Sequence, residues 1–318
     1  MNQVYQSFVG IDISKASADF HIHPVGTHGK IANTPKGHAQ LIAKLPAAGS
    51  CIIVLEATGG YELDLLFALQ DANHCVALVN PRRTRAFAIA QNQLAKTDRI
   101  DAKMIAIFAE RSELQLTPKV EENTRKLREM VLRRRQLIVM RTAEKNRYSQ
   151  SKAGVTRASL KRHLSFLQKE IDRLDRQIEE LIQCDPEKNE SAQRLTTVPG
   201  VGKGTANAII SELPELGRLN QKEIAALVGV APINRDSGKK TGKRSVHGGR
   251  AGLRATLYMA ALTAARINPK IKLFAERLRA KGKPGKVILV ACIRKLIGIL
   301  NTMEKTKQNW CDATALTA

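Results

Sequence analysis

Four carboxylates among the first 101 residues have positions and spacing that could do chemistry together. Asp12 interrupts an apolar run in VGIDISK, Glu56 ends the apolar segment CIIVLEAT, and Asp98 and Asp101 lie three apart in KTDRIDAK. An ionised acid within a buried strand pattern carries a desolvation penalty, and acids three apart on a helix share one face. Gathered carboxylates repel one another, and a divalent Mg²⁺ with its preference for hard oxygen ligands is the natural counter-charge. Two such ions about 4 Å apart can clamp both oxygens of an in-line phosphoryl transfer. Asp12, Glu56, Asp98 and Asp101 are therefore candidate metal ligands and catalytic residues. Each also has a plainer reading, Asp98 as a helix cap and Glu56 as a turn residue.

Two further constellations are cationic. In VGVAPINRDSGKKTGKRSVHGGRAG (228–252), Ser237-Gly238 is ringed by Arg235, Lys239, Lys240, Lys243 and Arg244, with Asp236 the lone acid. A hydroxyl there could attack a phosphodiester while the cations steady the developing charge. On residue types alone Thr241, Ser245 and Tyr258 are rival nucleophiles. In LTTVPGVGKGTANAII (195–210), the glycines allow a tight turn between helices. The amides that open the second helix, at Gly200, Gly202 and Lys203, suit a phosphate oxygen. This helix-hairpin-helix pattern reads backbone rather than sequence, and it lacks the spacing of a Walker A loop.

The elements that must position these residues follow from periodicity. Apolar or alternating runs at 7–13 and 17–23, with a third at 28–33, predict antiparallel strands. Thr34-Pro35 opens a helix over 36–45. Cys51–Leu55 and Cys75–Val79 read as buried strands, with helices at 63–71, 81–93 and 98–112. Strands alternating with helices predict a mixed sheet covered on its faces, the element order of a ribonuclease-H-like fold. Leu160, Leu164, Leu167, Ile171, Leu174, Ile178 and Leu181 form a heptad seam, within or between protomers. Upstream, 125–163 holds 13 Lys/Arg against Glu129 and Glu144. The expected architecture is α/β plus α: a metal-binding domain (1–115), a basic helical arm and coiled coil (116–184), a mainly helical C-terminal domain bearing the serine loop (185–308), and a disordered tail (309–318).

Charge narrows the partners. The 318 residues carry a net charge of +23, yet residues 1–114 hold 11 Lys/Arg against 10 Asp/Glu. The excess lies downstream, an electrostatic footprint for nucleic acid. An acidic membrane surface is the lesser alternative. Aromatics at 4% argue against base stacking as the main mode of recognition. No apolar run reaches the length of a membrane span. Five scattered cysteines without CxxC spacing read as reduced thiols in a cytoplasmic protein.

In their order along the chain, GIDISK, EATGGY, KTDRIDA, VPGVGKGTA and GVAPINRDSGKKTGKR resemble the DEDD-type insertion-sequence transposases, the bridge-RNA-guided serine recombinases of the IS110 family. The likeness spans about residues 7–300. It implies a RuvC-like domain whose metal tetrad is Asp12, Glu56, Asp98 and Asp101, and a C-terminal transposase domain whose nucleophile is Ser237. It further implies a nucleoid-associated bacterial tetramer, with active sites that pair one protomer's RuvC-like domain with another's serine domain. A structured guide RNA would select double-stranded donor and target DNA. Two other readings remain: a junction-resolving or RNase-H-like nuclease using metal-activated water, and a purely architectural nucleic-acid binder.

Overall fold

The computed structural model describes residues 5–93, 97–233, 242 and 244–311. The chain divides into two compact units, Met1–Val120 and Glu121–Ala318.

The first unit is built on five strands: β1 (Ser7–Ile13), β2 (Ser17–His23), β3 (Thr27–Ala32), β4 (Cys51–Glu56) and β5 (Cys75–Val79). Their spatial order is β3-β2-β1-β4-β5. The β1–β2 and β2–β3 pairs are antiparallel, β1–β4 and β4–β5 parallel. Parallel strands need a crossover helix. Here these are α1 (Pro35–Ile42) and α2 (Leu63–Asp71), followed after β5 by α3 (Pro81–Ala90) and α4 (Asp98–Arg111). Thr34 caps α1 as its sequence predicts, its hydroxyl accepting from the Gly37 amide at 3.3 Å.

The two faces of the sheet have separate cores. Val9, Ile11, Ile13, Ile53 and Leu55 pack with Leu41, Leu65, Leu66 and Leu69 of α1 and α2. Ile52, Val54, Ala77 and Val79 pack with Ile105, Phe108 and Ala109 of α4. That two-sided burial explains why Cys51–Leu55 is apolar throughout rather than alternating.

The second unit is helical. α5 (Glu122–Gln150) and α6 (Gly154–Gln183) form a hairpin, followed by α7 (Pro186–Thr196), α8 (Lys203–Glu212), α9 (Gln221–Val228), α10 (Ala251–Ile267), α11 (Pro269–Ala280) and α12 (Gly285–Thr306). The heptad seam packs within its own chain. Leu167 and Ile171 meet Leu137 of α5, while Ile178 and Ile182 join the main helical core. The helical arm and the helical C-terminal region thus share one compact unit. Residues 309–311, assigned to the tail on sequence, hold Trp310, whose amide donates to the Thr197 hydroxyl at 3.0 Å. Residues 312–318 lie outside the described residues.

Candidate active site

The acids of the first unit are arranged by sheet register. β1 and β4 run in parallel through the pair Ile11↔Leu55, so Asp12 and Glu56 each follow by one residue at the same end of adjacent strands. Strand alternation puts them on the face of Gly10, Ile52 and Val54. That face meets α4: a Cβ on Gly10 would lie 2.2 Å from the Ala102 carbonyl oxygen. Asp98, Asp101, Ala102 and Ile105 follow the helical spacing that turns one side of α4 to the sheet. Thr97 caps the helix, accepting from the Ile100 amide at 3.3 Å, so Asp98 sits in the first turn and is not itself the cap.

The register adds two residues that sequence reasoning missed. Asp12 lies directly opposite Asp19, and Asp19 opposite Lys30. Like charges directly across an antiparallel pair are destabilising. Lys30 offsets this, its Nζ lying 3.1 Å from Asp19 Oδ2 and 3.7 Å from Asp98 Oδ2. The hydrogen bond to Asp19 holds the Lys30 ammonium above its ordinary pKa. Lys30, Asp19, Asp12 and Glu56 therefore form a row across four strands. The available signal was the alternation of β2, which puts Asp19 and His21 on one face. Burial, together with the nearby Lys103, pushes the His21 imidazole below its ordinary pKa.

Glu56 and Asp101 line one cleft of about 520 Å³, together with Arg82, Thr84, Arg85 and Met104. The Thr84 hydroxyl donates to Glu56 Oε1. Arg82, Thr84 and Arg85 come from the first turns of α3, which Asn80 caps by accepting from the Arg82 amide at 2.9 Å. The run NPRRT after a strand is the overlooked signal, a capped helix start carrying guanidinium groups beside the strand ends. The loop after β4 is tied internally: the buried Glu62 carboxylate accepts from the Gly60 amide at 2.8 Å and the Thr58 amide at 3.1 Å. Asn33 then links the loops after β1 and β4, donating to Ser14 O at 3.0 Å and Tyr61 O at 3.1 Å.

Among the described residues no group of three or more His, Cys, Asp or Glu is gathered closely enough to hold a metal ion. The donor set suits a hard divalent cation by chemistry, since it is all carboxylate. The acids share a face without forming a finished ligand shell.

In the second unit, Ser237 lies outside the described residues, as do Arg235, Lys239, Lys240, Thr241 and Lys243. The feet of that loop are described. Ile233 and Ser245 form an isolated antiparallel bridge, the Ile233 amide donating to Ser245 O at 2.9 Å. Gly229 ends α9 in the left-handed region at φ 77°, where an added Cβ would meet the Gly248 carbonyl oxygen at 2.2 Å. Arg250 makes two 2.6 Å bonds to Glu215. Burial alone would raise the Glu215 pKa, but the Arg250 fork outweighs it and the carboxyl lies below its ordinary value. Arg244 is exposed.

The glycine turn between α7 and α8 forms as its sequence predicts. Gly200 has φ 101°, and a Cβ there would lie 2.7 Å from Ala264 of α10, so packing requires this glycine. Around Gly202 the space is open. Lys203 is engaged at 2.6 Å with Glu179. Part of the basic arm is likewise committed inside its own unit, with Arg134 on Asp175 and Arg135 on Glu212.

Residues 9–151 match a transposase family model, and residues 192–276 match that of the IS116/IS110/IS902 family of transposases. The chain belongs to the IS110 family of transposases. The transposase is 29% identical to the pilin gene-inverting protein of Moraxella bovis over 92% of this chain and 94% of that one. It is 24% identical to the transposase for insertion sequence element IS1328 of Yersinia enterocolitica over 74% of this chain and 76% of that one. A similar likeness, 24%, links it to the IS1111A transposase of Coxiella burnetii over 73% and 70%. Asp12, Glu56, Asp98 and Asp101 lie inside the first matched segment and Ser237 inside the second. As an insertion-sequence transposase it is an enzyme acting on DNA. No helix among its described residues is long and apolar enough to cross a membrane.

Proposed function

We propose that this insertion-sequence transposase breaks and rejoins DNA through a covalent phosphoserine formed at Ser237, as a site-specific recombinase. The observation that carries the reading is the cleft in which two carboxylates, Glu56 and Asp101, share a wall with Arg82 and Arg85, beside the register-aligned Asp12. Guanidiniums fork onto phosphate oxygens, and the carboxylates stand ready for a proton or a cation. Asp12, Glu56, Asp98 and Asp101 would hold Mg²⁺, which when bound supplies positive charge to the phosphate and to an attacking hydroxyl.

In the proposed step the Ser237 hydroxyl oxygen attacks phosphorus, losing its proton to a carboxylate. The bond to the leaving 3′ oxygen breaks, giving a 5′-phosphoserine and a free 3′-hydroxyl. The 3′-hydroxyl of the exchanged strand then attacks the ester and releases serine. One phosphoester bond is made for each one broken, so no external energy source is needed. Cations of the loop, Arg235, Lys239, Lys240, Lys243 and Arg244, together with Gly200, Gly202 and Lys203 at the glycine turn, are proposed phosphate contacts. A structured guide RNA and a tetrameric assembly belong to the same proposal. Support for the RNA comes from the charge excess beyond residue 114.

The test is a denaturing gel of protein incubated with Mg²⁺, RNA and DNA. Wild type is expected to give a covalent protein–DNA species, while Ser237→Ala binds nucleic acid and gives none; an adduct formed by Ser237→Ala overturns the assignment. A second reading, a nuclease using activated water, draws on the cleft being lined by residues of the first unit alone. It is selected if wild type yields hydrolysed ends with no adduct.

A further inference from the structure

Residues 266–295 contain ten Lys/Arg and a single acid, Glu276. They form the end of α10, all of α11, the turn after it and the first half of α12. One side of each of these two helices is core: Ile271 and Ala275 of α11, and Ile288, Cys292 and Ile293 of α12, are buried in the main helical core. The other side is cationic. Lys272, Arg277, Arg279, Lys281, Lys283, Lys286, Arg294 and Lys295 are all exposed.

Among the described residues none of these eight, nor Lys270, enters an ion pair, so their charge is not spent on acids of the chain, as that of Arg194, Lys203 and Arg250 is. Several of the cations are also held in place by aromatic rings. Arg277 and Lys295, from two different helices, flank one ring, at 5.4 and 4.8 Å from the Phe274 centroid. Lys270 Nζ stands 5.1 Å from the Trp310 ring. A cation fixed on a ring loses less side-chain freedom when it meets an anion, which is how a pre-organised site gains affinity. Two cations on one ring repel each other until an anion arrives.

We infer that the α11–α12 cationic face docks the phosphodiester backbone of duplex DNA, as a surface additional to the glycine turn and the serine loop. This rests on the reading that the chain acts on nucleic acid, and it names where the backbone lies. From Lys270 to Arg279 the helix advances about 14 Å at 1.5 Å per residue. At about 3.4 Å per phosphate along one strand, that is a track of roughly four phosphates. Lys281, Lys283 and Lys286 extend it through the turn. Duplex DNA is the occupant: the chain is an enzyme acting on DNA, and the phosphate spacing used here is that of one duplex strand.

The experiment compares the full chain with the triple variant Lys281→Gln, Lys283→Gln, Lys286→Gln, in which no packed side chain is altered. A control triple, Lys36→Gln, Lys44→Gln, Lys222→Gln, removes equal charge from exposed positions elsewhere. Fluorescence anisotropy with a short DNA duplex and with an RNA hairpin, over a range of salt, gives the slope of log K against log salt. Each lost phosphate contact lowers the slope by about 0.9 on duplex DNA. The turn triple is expected to lower the slope by at least about 2 on the DNA duplex, and the control by less than about 1; an effect confined to the RNA hairpin overturns the inference. A slope equal to that of wild type on both, or a loss matched by the control, overturns the inference. Failure of wild type to bind either polymer would instead remove the nucleic-acid reading beneath it.

Discussion

Gly10→Ala tests how α4 is held over the carboxylates. The glycine faces the helix across the sheet, and its added methyl carbon would lie 2.2 Å from Ala102 O, 2.3 Å from Ala106 N and 2.9 Å from Ile105 C. All three are backbone atoms, so no rotamer change relieves the clash. Ordinary contact begins at 3.4 Å, so the helix must retreat by about 1.2 Å. Overpacking of this kind costs about 1–3 kcal/mol, and the upper half of that range is expected where only backbone can yield. For a unit of this size, about 3–4 °C per kcal/mol gives a fall in unfolding temperature of roughly 6–12 °C. Asp98 and Asp101 ride on the same helix, so their spacing from Asp12 and Glu56 changes too. A misplacement of about 1 Å can cost on the order of 100-fold in rate. The assay pairs thermal unfolding, followed by circular dichroism, with DNA cleavage by the same preparation. Gly154→Ala, at the first residue of α6 where the space around the new methyl is open, is the stability control and should unfold no lower than wild type. Unfolding and cleavage both unchanged in Gly10→Ala would refute the close approach of α4 to β1.

The second unit supplies the remaining predictions. Arg194 binds both oxygens of Glu304 at 2.9 Å with both side chains buried; either single alanine variant should cost about 3–5 kcal/mol, whereas Arg194→Met with Glu304→Leu should fall within about 1 kcal/mol of wild type or above it. Urea midpoints decide this, and equal losses in the single and double variants would show that the pair contributes directly. The Glu215 carboxyl lies below its ordinary value of 4.5 in the folded chain. Its contribution is therefore present above that value and is lost as pH falls through the lower folded one. Glu215→Gln should lower stability at neutral pH and flatten the acid limb of the stability–pH curve; an acid limb as steep as that of wild type would exclude Glu215 as a contributor.

Local pattern determined much of this protein. The alternation of Ser7–Ile13 and Ser17–His23, the Thr34-Pro35 helix start and the unbroken run at Cys51–Leu55 all mark elements that formed where they were expected, because their signals are short-range: pleat, cap and two-sided burial. Asp12 and Glu56 stand out in the sequence as acids within or at the end of apolar runs, and Asp98 and Asp101 by their spacing of three, signals that are likewise short-range. What the linear order could not show is which residues become neighbours across strands and between helices. Register set Asp19 opposite Asp12 and supplied Lys30 as the offsetting charge. Packing of α3 beside the strand ends brought Arg82 and Arg85 into the cleft. Tertiary contact also decided which cations are spent inside the protein. Lys203, Arg134 and Arg135 found acids, while the lysines and arginines of α11 and α12, on helices whose apolar sides are plain core, found none among the described residues. A charge pattern counts cations; only the folded chain shows which of them already have a partner.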